Sequence, residues 1–221
     1  MSDLEFRYFF DPLCGWCYAS APALAGLAEH HGDRLRMMPV GLFTQPRPIG
    51  AIADHAWRND QRIGGLTGQR FSEAYHRNVL QAPDGVFTSG PLTLALAALG
   101  EIDPRLEPRF LHAAQIARYV EGRDTSRTEE VVRVAEAVAA GNSASLDTAA
   151  FAERLRTDAA LTDRVEARMA AARDEMRSLP GSGVPQLLVC AGGRAHPISG
   201  QTLYGGKEAV LAAVRQLTAE V

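Results

Sequence analysis

The sequence has little lysine, few cysteines and no long apolar run. Lys207 is its one lysine, and 23 basic and 26 acidic residues leave a net charge of −3. This balance gives no reason to expect a nucleic acid or an anionic membrane as a partner. No apolar stretch is as long as a transmembrane helix, and Met1–Glu5 lack the basic and then apolar regions of a secretory signal. We therefore expect a cytoplasmic protein without a membrane segment.

The chain has only three cysteines, Cys14, Cys17 and Cys190, which is too few for a disulfide framework and fits a reducing compartment. Cys14 and Cys17 form a Cys-x-x-Cys pair. No second pair of this kind, and no closely spaced histidine pair, completes the four ligands that a structural zinc site usually takes. We therefore predict no metal site. A pair of inert buried thiols stays open as an alternative, and Cys190 is expected to fill core space.

The Cys-x-x-Cys pair lies at a predicted junction between a strand and a helix. Alternating aromatic residues predict a strand that ends near Asp11, and apolar periodicity predicts a helix over Ala19–His31. A helix N-terminus stabilises a thiolate, because its unpaired N–H groups carry a positive partial charge. Cys14 is thus the predicted nucleophile, and Cys17, one turn inside the helix, is the predicted resolving thiol. Asp11 fits a turn or cap better than a proton relay.

Strand patterns occupy the two ends of the chain, and helix patterns occupy its middle. Strands are predicted over Leu4–Phe10, Leu35–Leu42, Val184–Cys190 and Ala195–Gly200. Further helices are predicted over Gln69–Val79, Gly90–Gly100, Glu107–Val120, from a capping box Ser126-x-x-Glu129 to Gly141, over Asp147–Leu155, Leu161–Leu179 and Lys207–Leu217. Residues 44–68 lack strong periodicity.

This order predicts an α/β domain over residues 1–43 and 181–221, interrupted by an all-helical insertion over residues 44–180. Two prolines add local expectations. Pro22 lies inside the first predicted helix and should kink it, because proline has no N–H to donate. Pro39 predicts that the second strand is short or near a sheet edge.

The order of elements, with Cys-x-x-Cys at the first helix and a proline opening the third strand, is that of the thioredoxin fold. With its helical insertion, the chain resembles the DsbA family of thiol–disulfide oxidoreductases. The segment Phe10-Asp11-Pro12-Leu13-Cys14-Gly15-Trp16-Cys17-Tyr18 resembles most closely the FrnE-like branch. Two distal stretches are also similar to family motifs, namely Gly183-Val184-Pro185 and Ile198-Ser199-Gly200-Gln201.

The resemblance implies that Pro185 is a cis-proline facing the cysteines. The backbone of Val184 would then turn toward Cys14 and pair with an extended substrate, as in strand addition. Trp16 is either an apolar docking surface for substrate or a packing residue. Gly15 departs from the proline common in this branch, and no histidine separates the cysteines, so we expect a less oxidising disulfide than that of DsbA.

The sequence therefore predicts a thiol–disulfide oxidoreductase that acts on protein or small-molecule disulfides through Cys14 and Cys17. It needs no cofactor beyond this pair, and glutathione is a candidate redox partner. Two alternatives stay open. One is a glutathione-dependent transferase or isomerase of the kappa-class type, which usually has serine at the position of Cys14. The other is a non-catalytic peptide-binding or chaperone-like module.

Overall fold

The structure, a computed structural model, describes residues 4–219. Short 3-10 turns cover Gly32–Arg34 and Ile49–Ala51, and a π-helical turn covers His76–Leu80. The strands and helices, in chain order, are β1 (Glu5–Phe10), α1 (Gly15–Ala19), α2 (Ala21–His31), β2 (Leu35–Pro39), β3 (Arg47–Pro48), α3 (Ala53–Thr67), α4 (Glu73–Tyr75), β4 (Val86–Phe87), α5 (Gly90–Ile102), α6 (Leu106–Tyr119), α7 (Thr128–Gly141), α8 (Thr148–Thr157), α9 (Ala159–Met176), β5 (Gln186–Ala191), β6 (Arg194–Ile198), α10 (Gly200–Tyr204) and α11 (Gly206–Ala219).

A mixed four-stranded sheet in the order β2-β1-β5-β6 is the centre of the fold. Strands β1 and β2 run parallel, with Phe6 opposite Leu35, and β5 runs antiparallel to β1 and to β6. The crossover between the parallel strands is made by α1 and α2. Pro39 ends the edge strand β2, as predicted, because an edge position needs no N–H toward solvent.

Helices cover both faces of the sheet, which explains why β1 is strongly apolar. Phe6 and Tyr8 lie in the larger core with residues of α2 and α11, including Leu27 and Val210. Phe9 faces the opposite side and packs in a smaller cluster that contains Ala172 of α9. The side chains of β1 are packed on both faces of the sheet, so the position of the strand end is fixed. The loop that begins at Asp11 starts from this position.

The fold is α/β and thioredoxin-like, with a helical insertion between β2 and β5. The insertion also contains a short antiparallel pair, β3 with β4, that was not predicted. The boundaries at residues 43/44 and 180/181 stay a prediction, and residues 1–3 and 220–221 of the predicted domain lie outside the described residues.

No helix was assigned within residues 44–68, where periodicity is weak, but this segment contains α3. Asp60 and Ile63 are its buried residues, and Trp57 packs against the core beside them. The kinked helix over Ala19–His31 is wrong. The chain breaks at Ser20, and Pro22 stands in the first turn of α2, where a missing N–H costs no helical hydrogen bond.

The predicted capping box at Ser126 is wrong. Helix α7 begins at Thr128 after Arg127, without a side-chain cap, and the Ser126 hydroxyl accepts a hydrogen bond from the Thr88 N–H at 3.5 Å. Asp147 does cap α8, as predicted, by accepting from the Ala150 N–H at 3.0 Å.

Several predicted ends differ from the observed ones: β2 ends at Pro39, α5 runs past Gly100 to Ile102, α9 ends at Met176, β5 begins at Gln186 and β6 ends at Ile198. The helix predicted over Gln69–Val79 is α-helical only over Glu73–Tyr75 and continues as the π-helical turn.

Candidate active site

The loop between β1 and α1 places the two cysteines. The N–H of Cys14 donates to the Asp11 carbonyl at 3.1 Å, which closes a tight turn after the strand. Cys14 is the N-cap residue of α1, with an extended backbone, and its carbonyl accepts from the N–H groups of Cys17 and Tyr18 at 3.0 and 3.1 Å. The helix therefore starts immediately after Cys14, as the motif predicted.

The two thiols differ in accessibility. Cys14 is 8% exposed and Cys17 is 1% exposed, and both are free thiols in this structure. Burial raises the pKa of the Cys17 thiol well above its usual value, and the adjacent Cys14 raises it further. The Cys14 thiol donates to the Val184 carbonyl at 3.7 Å. Because Cys17 is enclosed, a partner from solvent can reach the pair only at Cys14.

Asp11 ties the cysteine loop to the helical insertion. Its carboxylate accepts from the N–H of Leu13 at 2.9 Å, the N–H of Phe43 at 3.0 Å and the hydroxyl of Ser89 at 3.0 Å. Burial raises the pKa of Asp11, and these hydrogen bonds oppose that shift because they favour the charged form. Both carboxylate oxygens are thus engaged in holding the loop, which supports the turn role.

An aromatic cluster supports the same loop from the insertion. Tyr119 donates its hydroxyl proton to the Leu13 carbonyl at 2.8 Å. Its ring stacks on Tyr18 with 4.9 Å between centroids, and Phe71 packs edge-on against both rings. Since these side chains are buried, the loop before Cys14 is fixed by packing as well as by hydrogen bonds.

A cleft of about 440 Å³ opens beside Val184 and Pro185. The peptide bond between these two residues is cis. Tyr204 lines the cleft and packs against Trp16, with 4.9 Å between ring centroids. Val184 and Pro185 line this cleft, and Cys14 and Trp16 lie next to it through their contacts with Val184 and Tyr204. These residues come from the two ends of the chain.

Asp60, from α3, also reaches the cysteine motif, and sequence reasoning missed it. The Asp60 carboxylate lies so close to Gly15 that a Cβ atom built there would collide with Asp60 Oδ1. Burial raises the pKa of the Asp60 carboxyl to about 7, against the lowering influence of its hydrogen bond from Tyr75 and of Arg118. The available signal was spacing: Asp60 stands three residues after Trp57 and three before Ile63, on the inner side of a helix.

The remaining candidates lie apart from this cluster. Cys190 is partly buried in β5, and burial raises the pKa of its thiol. His30 and His31 end α2, as predicted. Within residues 4–219, no group of three or more histidine, cysteine and acidic side chains is placed to hold a metal ion. In the same range, no helix is long and apolar enough to cross a membrane.

The chain was compared with known proteins. No protein-family model matches it, and neither does any curated protein. Among solved structures it is similar to the cytosolic disulfide reductase DsbM from Pseudomonas aeruginosa, with 30% identity, 96% of this chain and 98% of that chain covered, and a TM-score of 0.82. The structure of DsbM with GSH gives 31% identity, the same coverage and a TM-score of 0.80.

Two more distant similarities concern the fold alone. A candidate protein disulfide isomerase from Nitrosomonas europaea is 20% identical, covers 96% of each chain and has a TM-score of 0.69. A 2-hydroxychromene-2-carboxylate isomerase is 16% identical, covers 96% of each chain and has a TM-score of 0.55.

A thioredoxin-like sheet with a helical insertion, and a Cys-x-x-Cys pair at the start of its first helix, is the architecture of thiol–disulfide oxidoreductases. The similarity to DsbM extends this assignment from the fold to the sequence, over nearly the whole length of both chains. The chain belongs to the DsbA family of thiol–disulfide oxidoreductases and is an enzyme of this kind.

Proposed function

We propose that this enzyme is a cytoplasmic reductase of protein or small-molecule disulfides, with Cys14 as nucleophile and Cys17 as resolving thiol. The observation that carries the proposal is the asymmetry of the pair. Cys14 stands at the helix start beside the cleft, whereas Cys17 is enclosed and its thiol pKa is raised by burial. A thiol held protonated and out of solvent is suited to attack a partner already bound at Cys14.

The reaction has two exchange steps. The Cys14 thiolate attacks one sulfur of the substrate disulfide, which forms a mixed disulfide and releases the other sulfur as a thiolate that takes up a proton. Cys17 then loses its proton and attacks the Cys14 sulfur, which forms the Cys14–Cys17 disulfide and releases the second substrate thiol. The substrate gains two electrons and two protons, and the enzyme becomes the disulfide.

Glutathione is the proposed electron donor. Two glutathione molecules restore the dithiol by the same exchange chemistry and leave as oxidised glutathione. Support comes from the similarity to a disulfide reductase whose structure also exists with GSH. The Gly15-Trp16 pair between the cysteines also supports the reducing direction, because it supplies no charged donor to stabilise a Cys14 thiolate.

The cleft is the proposed substrate site. The backbone of Val184 accepts from the Cys14 thiol in this structure, and Pro185 lines the cleft next to it. An extended peptide could pair with the Val184 backbone, while Trp16 and Tyr204 give an apolar wall. These three roles, for Trp16, Val184 and Pro185, are proposals that follow from their position around Cys14.

Trapping of the mixed disulfide tests the proposal. Cys17→Ser should accumulate a glutathione or peptide adduct on Cys14, because the second step is removed, and Cys14→Ser should form none. Cys190→Ser is the matched control and should turn over like the unchanged protein. Holdase activity that survives Cys14→Ser, without any disulfide turnover, would favour the chaperone-like alternative. A stable glutathione adduct on Cys14 with Cys17 intact would favour a glutathione-dependent transferase or isomerase.

A further inference from the structure

We propose that Asp60 is a positioning residue that controls the thiolate fraction of Cys14 from the helical insertion. Its carboxylate lies against Gly15, the residue that follows Cys14. The proposal rests on the proposed function, in which Cys14 is the nucleophile, and it places a charged group beside Gly15 and Trp16, which carry no charge themselves.

The geometry begins with the close approach of Asp60 to the backbone of α1. A Cβ atom at position 15 would collide with Asp60 Oδ1 and would lie 3.0 Å from the end of the Ile63 side chain. A side chain at this position would therefore displace the carboxylate. Because Gly15 has no side chain, Asp60 can lie next to the cysteine motif. This gives a physical reason for glycine, rather than the proline common in the FrnE-like branch, at position 15.

The other oxygen of the carboxylate, Oδ2, is held in place by a buried tyrosine. Asp60 is 5% exposed, and its Oδ2 accepts from the Tyr75 hydroxyl at 2.9 Å. Within residues 4–219 the structure gives Oδ1 no hydrogen-bond donor, and Oδ1 is the oxygen that faces Gly15. The carboxylate thus keeps one oxygen for its tyrosine partner and turns the other toward the helix that carries Cys14.

The charged and titratable groups around Asp60 come from two elements of the insertion. Tyr75 belongs to α4, and Arg118 and Tyr119 belong to α6. Arg118 is 1% exposed and forms an ion pair with Asp124 at 3.4 Å, so its charge is already partly balanced elsewhere.

On the side of α1, Asp60 lies against Gly15, the residue after Cys14. Cys17 and Asp11 are the other titratable groups beside Cys14, and the Asp11 carboxylate accepts from the Leu13 N–H at 2.9 Å. Asp11 and Cys17 are unchanged in an Asp60 variant, so their influence on Cys14 cancels in the comparison.

The charge of Asp60 changes in the neutral range, because burial raises its pKa to about 7. When Asp60 is ionised, its negative charge disfavours a second negative charge on the Cys14 sulfur. When Asp60 is protonated, this repulsion is absent. A less stable thiolate in the dithiol form favours the disulfide form of the pair, and so makes the dithiol a stronger reductant. The expected direction agrees with the proposed reductase.

The test compares Asp60→Asn with Glu107→Gln. Asparagine can still accept from Tyr75, so the substitution removes the charge and keeps the shape. Glu107 is a buried carboxylate of the same insertion, but it is paired with Arg168 at 2.6 Å. The rate at which iodoacetamide alkylates Cys14 is measured by peptide mass from about pH 5.5 to about pH 8, in full-length reduced protein.

The ratio of the alkylation rate of Asp60→Asn to that of the unchanged protein should be near 1 at the lower pH, where Asp60 of the unchanged protein is protonated and both side chains are uncharged. It should rise as Asp60 ionises, to about tenfold for a shift of one pKa unit. Glu107→Gln should give a flat ratio. A flat ratio for Asp60→Asn would overturn the proposal, because a purely structural effect does not follow the ionisation of Asp60. The alkylation rate does not depend on turnover. A failure of the Cys17→Ser trapping experiment, which tests the proposed function, can therefore be distinguished from a failure of the Asp60 proposal.

A second pair of variants tests the contact itself. Gly15→Ala should lower the melting temperature, because the new Cβ collides with the Asp60 carboxylate. In Gly15→Ala combined with Asp60→Ala the collision is absent, so the decrease in melting temperature should be smaller than the sum of the decreases of the two single variants. Gly65→Ala, at a helical position of α3 where an added Cβ meets nothing within 4 Å, is the control and should not destabilise. Strictly additive losses would contradict the close approach.

Discussion

The hydroxyl of Tyr119 donates a hydrogen bond to the carbonyl of Leu13 at 2.8 Å, across 106 positions of the sequence. Tyr119 ends α6 of the insertion, and Leu13 immediately precedes Cys14. Asp11 forms a second tie on the same loop, through Ser89 at the start of α5. Two hydrogen bonds from the insertion therefore hold the cysteine loop, so the position of Cys14 depends on how the insertion packs.

Removal of the Tyr119 hydroxyl should destabilise the protein without creating a cavity. Tyr119→Phe keeps the ring stacked on Tyr18 and leaves the Leu13 carbonyl without its donor, which should cost about 1 kcal/mol in the free energy of unfolding. Urea unfolding measures this. Tyr18→Phe, whose hydroxyl makes a longer bond to Arg70 at 3.3 Å, should cost less. If Tyr119→Phe and Tyr18→Phe lowered the free energy of unfolding equally, the hydrogen bond to Leu13 would contribute no more than the longer one to Arg70.

Loss of the Asp11 carboxylate should lower the free energy of unfolding more than loss of any one of its hydrogen-bond donors. Asp11→Ala leaves three donors unsatisfied at a buried position, and we expect a loss of roughly 3 kcal/mol or more in the free energy of unfolding. Ser89→Ala removes one donor and should cost about 1 kcal/mol. The two free energies are compared by urea unfolding. If the two variants lose the same amount, Asp11 does not act as the common anchor.

The stability of the protein should depend on the ionisation of Asp60. Its carboxyl has a pKa of about 7 when folded, mainly because of burial, against a usual value of 3.8. Between these values the folded state holds a proton that the unfolded state has lost, so the free energy of unfolding falls as pH rises from about 4 to about 7. Asp60→Asn lacks this contribution.

The free energy of unfolding is therefore measured for both proteins at several pH values in this window. The difference, Asp60→Asn minus unchanged protein, should increase with pH. Other buried acids with a raised pKa, Asp11 and Glu107, are present in both proteins and cancel in the difference. Parallel curves would mean that the pKa of Asp60 does not change on folding.

Sequence patterns predicted the parts of this site that depend on local physics. The alternation in β1 and the Cys-x-x-Cys spacing placed Cys14 at a helix start, and the structure has it there. Asp60 escaped because α3 itself was not predicted, so the spacing of Trp57, Asp60 and Ile63 was not recognised as one face of a helix. The bond from Tyr119 to Leu13 escaped for a different reason: a contact between distant segments depends on how the insertion packs, and no local pattern encodes it.

Trp16 should affect large substrates more than small ones. Its ring packs on Tyr204 at the cleft, and an extended peptide would lie along this wall. Trp16→Ala should raise KM for a peptide disulfide several-fold, by loss of apolar contact, and should change KM for oxidised glutathione less. Trp16→Phe keeps an aromatic ring and should retain most of the affinity. An equal effect on both substrates would assign Trp16 to packing.

The most direct test of the dithiol couple is equilibration of the full chain against glutathione redox buffers. Cys14 and Cys17 are then followed by alkylation and mass. We expect a single reversible two-electron transition shared by the two cysteines, at a potential below that of DsbA, and lost in both Cys14→Ser and Cys17→Ser. If both thiols stayed reduced across the whole range of buffers, the pair would not be a redox couple and the proposed reductase mechanism would be wrong.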